Sequence, residues 1–387
     1  MLKRMFFAVL IVAGAVPHVA FANESSGTRE FRATAGGKLT LHLETGAGLK
    51  IAGTGGSSVT VAYKLSCTPD CQIDFDQSGN DLTVKTRFVG GRREQNSDAE
   101  LDIRVPSQFD VSLDSMGGSL EIDGVKGTFT GETKGGEITL HDVDGVAKLR
   151  TMGGEISVKD STLDGSVKTM GGAVNFENVV GNVDGSSMGG DVRYKNVRRN
   201  DGKFASPAHP DGTALSEITS GTVQVTTMGG EIEIGDAPEG ADVSTMGGDI
   251  NIKNARKFVR AKTMGGDIAV DSVDGWVQAT TMGGNLDVTV TGAGGDVTLT
   301  SMSGKVVVHV PRGFGMNLDL EVAFTKNSLK EYTITAPGSA SQTVTPDWEY
   351  GQGSPRKYIR KSGSVNGGGH AVTVKTINGN VTVVEGP

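Results

Sequence analysis

The chain has 387 residues, 58 of them glycine, with only 5% aromatic residues and a formal net charge of −8. This length accommodates two or three ordinary domains or one long repeat array. The low aromatic content argues against a compact core built on large rings. The negative charge argues against non-specific nucleic-acid binding, which needs a basic face.

The first 22 residues have the features of an export signal. Lys3 and Arg4 precede an apolar run from Met5 to Val16, and Ala20-Phe21-Ala22 is an A-x-A cleavage site. The run is shorter than a membrane-spanning helix, which takes about 20 residues, and no later run is long enough. We therefore predict a signal peptide at 1–22 and an exported mature chain without a transmembrane span, in the periplasm, outside the cell or on its surface.

The region 23–111 contains strand-like segments of irregular length, and we predict that it forms the first coils of a repeat fold and its cap. Cys67 and Cys71 are the chain's two cysteines, and the Thr-Pro-Asp between them favours a turn. Export favours disulfide formation. The C-x-x-x-C spacing is not the redox C-x-x-C, and two thiols alone make a poor metal site. The pattern predicts a disulfide at a hairpin tip.

Residues 112–310 repeat a unit built around Thr-Met-Gly-Gly. Starting at Met116, the steps along the methionine column are 18, 18, 18, 18, 40, 18, 18, 18 and 20 residues, with Lys134 in place of one methionine. Nine of the chain's 12 methionines occupy this column. A unit that recurs at a fixed period indicates a repeat architecture, whereas a catalytic motif occurs once.

Each unit alternates apolar and polar residues, as in Ile138 and Leu140 or Ile250 and Ile252, which predicts strands with one buried face. Asp or Asn eight residues after the methionine predicts one corner, and Gly-Gly predicts the other. One unit cannot bury its apolar face alone, but stacked units can. We therefore predict an all-β fold, a parallel β-helix or solenoid of about ten or more 18-residue coils with irregular N- and C-terminal caps. Right-handed coiling is favoured because β-x-β crossovers almost always take that hand.

The alternation places the threonine before each methionine inside the solenoid and the methionine at the rim or outside. Lys134 in the same column agrees, since a buried lysine is costly. The methionines are then a candidate interaction ridge, because exposed apolar stripes mark contact sites. Corner packing without a partner is the alternative. The ridge residues are Met152, Met170, Met188, Met228, Met246, Met264 and Met282.

An acidic column follows three residues after the methionines. Its weak candidates for metal ligands are Glu231, Asp249 and Asp267. Stacked coils place such carboxylates about 5 Å apart, where they repel each other. Calcium accepts oxygen ligands of this kind. Neighbouring basic residues, or simply solvent at the rim, are the alternative means of offsetting the charge.

Two regions interrupt the repeat. The 40-residue step contains a polar insertion, 198–218, which is a candidate binding loop because loops on rigid scaffolds often carry function. In 311–387 the period is lost, and we predict C-terminal strands, a linker and a closing coil in which Thr376-Ile377-Asn378-Gly379 replays the corner motif.

The Gly-rich "T-x-x-G-x-I-x-V" units and the ending "NGGG…V…T-x-N-G-x-V-x-V", Asn366 to Val383, resemble the bacterial putative-adhesin domains. The resemblance covers nearly the whole mature chain. It implies a β-helix and an envelope or surface location. It assigns no functional residues to this chain.

The sequence shows no catalytic motif. No histidines have a metal-binding spacing, and no G-x-S-x-G elbow occurs. We predict a non-enzymatic, adhesin-like structural or interaction module of the cell envelope, without cofactors. Its expected partners are envelope proteins, itself or surface glycans, and its oligomeric state is left open. The alternative is a polysaccharide-active β-helix enzyme, a lyase or hydrolase that would use clustered carboxylates.

Overall fold

The structure is a computed structural model. It describes residues 20–22, 25–67, 69–89, 99–199, 221–328, 330–350 and 353–386. Within these ranges all regular structure is β, with no helix. The strands are β1 Ala20–Ala22, β2 Ser26–Arg32, β3 Gly37–Leu43, β4 Ala47–Thr54, β5 Ser58–Leu65, β6 Cys71–Ser78, β7 Asp81–Phe88, β8 Ala99–Pro106, β9 Phe109–Ser115, β10 Leu120–Asp123, β11 Lys126–Thr133, β12 Ile138–His141, β13 Asp144–Thr151, β14 Ile156–Thr169, β15 Val174–Val180, β16 Val183–Ser187, β17 Val192–Arg198, β18 Val223–Thr226, β19 Ile232–Ala237, β20 Ala241–Ser244, β21 Ile250–Lys262, β22 Ile268–Thr281, β23 Leu286–Val290, β24 Val297–Ser301, β25 Val306–Val310, β26 Met316–Thr325, β27 Ile334–Thr335, β28 Ser341–Val344, β29 Arg356–Val365, β30 His370–Ile377 and β31 Val381–Glu385.

The strands form two long rows. The first row has the order β1-β6-β7-β3-β9-β11-β13-β14-β16-β18-β20-β21-β22-β24-β30-β26-β29-β28. The second has the order β2-β5-β8-β4-β10-β12-β14-β15-β17-β19-β21-β22-β23-β25-β31-β27. The long strands β14, β21 and β22 run from one row into the other. The chain therefore winds as a β-solenoid-like array.

Pairing in the middle of the array is parallel and follows the sequence repeat. In the second row, Ile138 pairs with Ile156, and Ile156 pairs with Val174. After the insertion, Ile232 pairs with Ile250, which in turn pairs with Ile268. Each of these partners lies 18 residues further along the chain. Equivalent positions of successive units therefore lie directly over one another.

The predicted inward residues form the core. The members of the two apolar columns after the methionine are each no more than 1% exposed: Ile138, Leu140, Ile156, Val158, Ile250, Ile252, Ile268 and Val270. The apolar positions before the methionine, such as Val259 and Val277, are equally buried. All belong to one continuous hydrophobic cluster that runs the length of the array.

The Asx corner is confirmed only before the insertion. Asp142, Asp160, Asn178 and Asn196 have positive φ values between 49° and 55°. The equivalent Asp236 and Asn254 do not, because β19 and β21 continue through them. There the left-handed residues come later, at Gly240 and Lys257, with φ values of 96° and 66°. The two halves of the array therefore bend at different positions of the unit.

Both ends depart from sequential stacking. At the N-terminal end, β3 lies between β7 and β9, and β4 lies between β8 and β10. The coil 37–54 is thus inserted between two coils that follow it in the chain. At the C-terminal end, β30 lies between β24 and β26, and β31 between β25 and β27. The coil 370–385 is inserted between two coils that precede it.

Antiparallel strands close the two ends. The pairs β2–β5 and β6–β7 lie at the N-terminal end, and β28–β29 at the C-terminal end. Cys67 and Cys71 form the predicted disulfide, with Cα atoms 5.5 Å apart, in the connection from β5 to β6. Of the predicted signal peptide, 1–19 lie outside the described residues, and Ala20–Ala22 pair antiparallel with β6. The signal peptide stays a prediction.

Candidate functional site: the methionine ridge

The ridge is built on a corner that the threonines hold together. The Thr263 hydroxyl accepts a hydrogen bond from the Gly266 N–H, 3.2 Å away in its own coil. It donates to the carbonyl of Gly248 in the preceding coil, 2.9 Å away. The same donation to the preceding coil recurs at Thr133, Thr151, Thr169, Ser187, Thr227, Thr245, Thr281, Ser301 and Thr376. The inward threonine therefore ties each corner to the corner before it.

The second glycine of Gly-Gly is required by close packing of neighbouring coils. A Cβ added at Gly248 would overlap with the carbonyl group of Gly230. One added at Gly247 would lie no closer than 3.7 Å to any atom, which is an ordinary contact. Because the second glycine lets one coil approach the next, it fixes the level at which the methionine before it lies.

The methionines at these corners stack along the array. The Met246 N–H donates to the Met228 carbonyl oxygen at 3.2 Å, and the Met264 N–H to that of Met246 at 3.2 Å. Across the insertion, the Met228 N–H donates to the carbonyl oxygen of Met188 at 3.1 Å. These four methionines are therefore consecutive along the axis, although Met188 and Met228 lie 40 residues apart in sequence.

The ridge side chains are in contact with solvent. Eight of the nine column members are between 39% and 48% exposed: Met116, Met152, Met188, Met228, Met246, Met264, Met282 and Met302. Met170 is less exposed, and the Arg150 guanidinium donates to its sulfur at 3.7 Å. The column is thus a semi-exposed apolar stripe with a covered position at Met170.

The acidic column bonds to the next coil. Asp249 Oδ1 accepts the Asp267 N–H at 2.8 Å, and Asp267 Oδ1 accepts the Asn285 N–H at 2.7 Å. The Glu231 carboxylate accepts from the Asn251 amide at 2.6 Å. Among the described residues, no group of three or more His, Cys, Asp or Glu is placed to hold a metal ion. Metal binding at Glu231, Asp249 and Asp267 stays an untested prediction.

Charge along the ridge is uneven. Arg150 and Lys168 lie two residues before Met152 and Met170. At the same offset before Met188, Met228 and Met246, the residues are Ser186, Thr226 and Ser244, and three residues after these methionines come Asp191, Glu231 and Asp249. The segment from Met188 to Met246 therefore lies in a neutral-to-acidic setting, whereas the segment before it is basic.

Histidine 141 lies in an acidic stack on the second row. Its Nδ1 is 2.7 Å from Asp123 Oδ1, and its Nε2 is 3.6 Å from Asp160 Oδ2. The hydrogen bond from Asp123 raises the pKa of His141 above its ordinary value, and the charges of Asp123, Asp160 and Asp142 add to this. Residue-by-residue analysis identified His141 only as a solvated corner residue. The 18-residue spacing from Asp123 is the signal that would have paired them.

The predicted insertion begins at a buried arginine. Arg198 ends β17, and 200–218 lie outside the described residues. The Arg199 guanidinium donates to the Thr222 carbonyl at 2.8 Å and to Asp184 Oδ1 at 2.9 Å. It lies over the ring of Tyr194, whose pKa burial raises to about 12. Arg199 therefore fixes the point where the chain leaves the array, a role that the sequence pattern did not indicate.

No helix in the part of the chain that the structure describes is long and apolar enough to cross a membrane. The corner geometry, the two-row array and the repeat thus define an all-β, solenoid-like protein with a methionine stripe. The Toastrack DUF4097 family model matches residues 172–384, more than half of the chain, and the chain belongs to this family. This confirms the resemblance seen in the repeat units.

Solved structures of bacterial proteins are similar at low identity. A putative cell adhesion protein from Clostridium sporogenes is 10% identical, with a TM-score of 0.18, over 93% of this chain and 100% of that one. A putative adhesin from Parabacteroides distasonis is 10% identical, with a TM-score of 0.25, over 93% and 97%. A putative lipid binding protein from the same species is 8% identical, with a TM-score of 0.23, over 94% and 98%. No curated protein matches the chain.

Proposed function

We propose that the protein is an exported, non-enzymatic module of the bacterial cell envelope that acts in adhesin-like contacts. The observation that carries this proposal is the methionine ridge, with side chains 39–48% exposed along one line of the array. Apolar stripes of this kind mark contact sites, and methionine surfaces adapt to different partners because the side chain is flexible and polarizable.

The scaffold that we infer is a right-handed solenoid with 18-residue coils. The parallel register of Ile138, Ile156 and Val174 supports the coil length. The strong preference of β-x-β crossovers supports the hand. Such a scaffold holds the ridge straight, so that several methionines meet a partner surface at once.

A polysaccharide-active enzyme remains the weaker proposal. Such enzymes need carboxylates that converge on a sugar. Here Asp249 and Asp267 each accept the N–H of the acidic-column residue one coil further on. The carboxylates therefore follow the repeat along the array, which favours a structural role for them.

Self-association through the ridge is the most direct form of the proposal, with envelope proteins and surface glycans as the other partners. The test is mass measurement by sizing with light scattering over a concentration series. Wild type is expected above monomer mass, and Met246→Gln/Met264→Gln/Met282→Gln is expected at monomer mass, because Gln removes the apolar character of the stripe.

The matched control is Lys262→Gln/Asp271→Asn, which changes two exposed side chains in the same region and leaves the ridge intact. It should retain the wild-type mass. A monomeric wild type, or a triple variant with unchanged mass, would contradict self-association through the ridge.

A further inference from the structure

The ridge has a chemical property that an apolar contact surface does not need. Between 112 and 310, every apolar residue in this column is methionine, never Leu, Ile, Val or Phe. Branched and aromatic residues suit strands better, and any of them would provide an apolar stripe. What methionine adds is a thioether sulfur, a soft ligand that selects Cu(I) among the biological metals.

The spacing of the coils suits two sulfurs that share one ion. The main-chain bonds between Met188, Met228, Met246 and Met264 place these residues on neighbouring coils. Neighbouring strands lie about 4.8 Å apart. This is close to twice a metal–sulfur bond, which is about 2.3 Å in zinc thiolate sites. Three rotatable bonds in each side chain allow the sulfurs to turn toward a common point.

Charge selects one part of the ridge for a cation. Met170 is a poor ligand because the Arg150 guanidinium already contacts its sulfur at 3.7 Å, and Lys168 lies two residues before it. From Met188 to Met246 the preceding residues are uncharged, and the following column is acidic. An acidic setting raises the local concentration of cations.

No cysteine thiol competes for the ion, because both cysteines of the chain form the disulfide. We propose that Met188, Met228, Met246 and Met264 form a binding site for a soft monovalent cation, Cu(I) in nature and Ag(I) as its redox-inert analogue. Thioethers carry no proton, so binding releases none and is independent of pH between about 5 and 8, unlike binding to His or Cys.

The test is calorimetric titration of the mature chain with Ag(I) in chloride-free buffer. Anaerobic competition for Cu(I) against a chromophoric chelator serves as the second measurement. Wild type is expected to bind at least one ion per chain. Met188→Leu/Met228→Leu/Met246→Leu/Met264→Leu keeps the apolar volume and is expected to bind at least tenfold more weakly.

The matched control is Met152→Leu/Met170→Leu, in the basic part of the ridge, which should keep wild-type affinity. Circular dichroism establishes that each variant is folded. If the quadruple variant does not fold, the ¹³C-labelled methyl groups of the four methionines in wild type decide the question, because they must shift on addition of Ag(I). No Ag(I) uptake by wild type, equal affinity in a folded quadruple variant, or unshifted methyl groups would overturn the proposal.

The result is separable from the test of self-association. Leucine at these positions removes the sulfur but keeps the apolar stripe, whereas glutamine removes both. A leucine variant that still associates but no longer binds Ag(I) supports the metal site. A monomeric wild type that binds Ag(I) supports the metal site and removes only self-association.

Discussion

The middle of the array and its two ends bury their apolar faces in different ways. In the middle, each coil stacks on the one just before it in the chain, as Ile250 does on Ile232. At the ends, the coils 37–54 and 370–385 are inserted between coils that are neighbours in the sequence. The middle is therefore built from local contacts, whereas the ends need segments that are distant in the chain.

This difference separates what specifies length from what specifies termination. A stacked unit depends only on its nearest neighbours, so the middle behaves as a nearly one-dimensional array. An inserted coil bonds on both sides at once, and closing it requires the ordering of the intervening chain. The ends therefore connect the terminal coils cooperatively to the array.

The largest expected effect comes from removing the inserted C-terminal coil. Truncation after Val365 deletes β30 and β31 and leaves β24, β25, β26 and β27 without a partner on that side. Buried Val372, Val374, Val381 and Val383 are lost with them. We expect aggregation or a fall in the thermal midpoint of at least about 10 °C, measured by calorimetry.

The comparison is sharpened by removing a similar length from the middle. Deleting 247–264 joins Met246 to Gly265 and removes one complete unit of 18 residues. Because the flanking coils have the same register, they should stack on each other, and the midpoint should change by less than about 4 °C. If both deletions destabilise equally, the distinction between middle and ends is wrong.

A smaller effect is expected from one methyl group at a corner. Gly248→Ala brings a Cβ against the Gly230 carbonyl group, while the neighbouring Gly247→Ala meets nothing closer than 3.7 Å. The first change should lower the free energy of unfolding by about 3 kcal/mol, because backbone of the next coil has to move. The second should change it by no more than about 0.5 kcal/mol.

Chemical denaturation with circular dichroism measures both variants. Equal stability of the two would show that neighbouring coils are not held at the close approach described for the second glycine. The result would then also weaken the placement of the methionines along the ridge.

The smallest effect concerns pH at the boundary between the N-terminal end and the middle. His141 bonds to Asp123, and its pKa in the folded state is raised above the ordinary 6.5. Its contribution to stability is therefore complete below pH 6.5 and is lost as the pH rises through the folded-state pKa. The contribution is at most about 1 kcal/mol, because the pair is exposed to solvent and screened.

We expect wild type to lose more stability than His141→Asn between pH 5.5 and 8.5 (a range of about one to two units on either side of an ordinary histidine), measured by urea unfolding. His309 and His370 titrate in both proteins and cancel in the difference. Parallel pH profiles would contradict the effect. In NMR titration, Asp123→Asn should lower the pKa of His141.

Much of the middle was predictable from the sequence. The alternation around Ile156 and Ile268 identified the buried face, and the fixed period identified the stacking. The hydroxyl of Thr263 was expected to bond to the turning backbone, and it does. These inferences succeed because each depends only on residues within one unit and on the repetition of that unit.

The ends and the cross-coil contacts were not predictable in the same way. The apolar pattern of coil 37–54 is compatible with any neighbouring coil, so it does not reveal that β3 lies between β7 and β9. The shift of the bend to Lys257 depends on how the chain re-enters the array after the insertion. The guanidinium of Arg199 is buried by groups from three separate segments, which no local pattern reports.

The hydroxyl bridge at each corner has an evolutionary consequence. Because Thr263 reaches back only to Gly248, a unit carries within itself the donor for the coil before it and the acceptor for the coil after it. In-frame duplication or loss of a unit in the gene then joins complementary surfaces without any compensating mutation. Descendants of one ancestral gene are free to differ in reach while sharing the same terminal architecture.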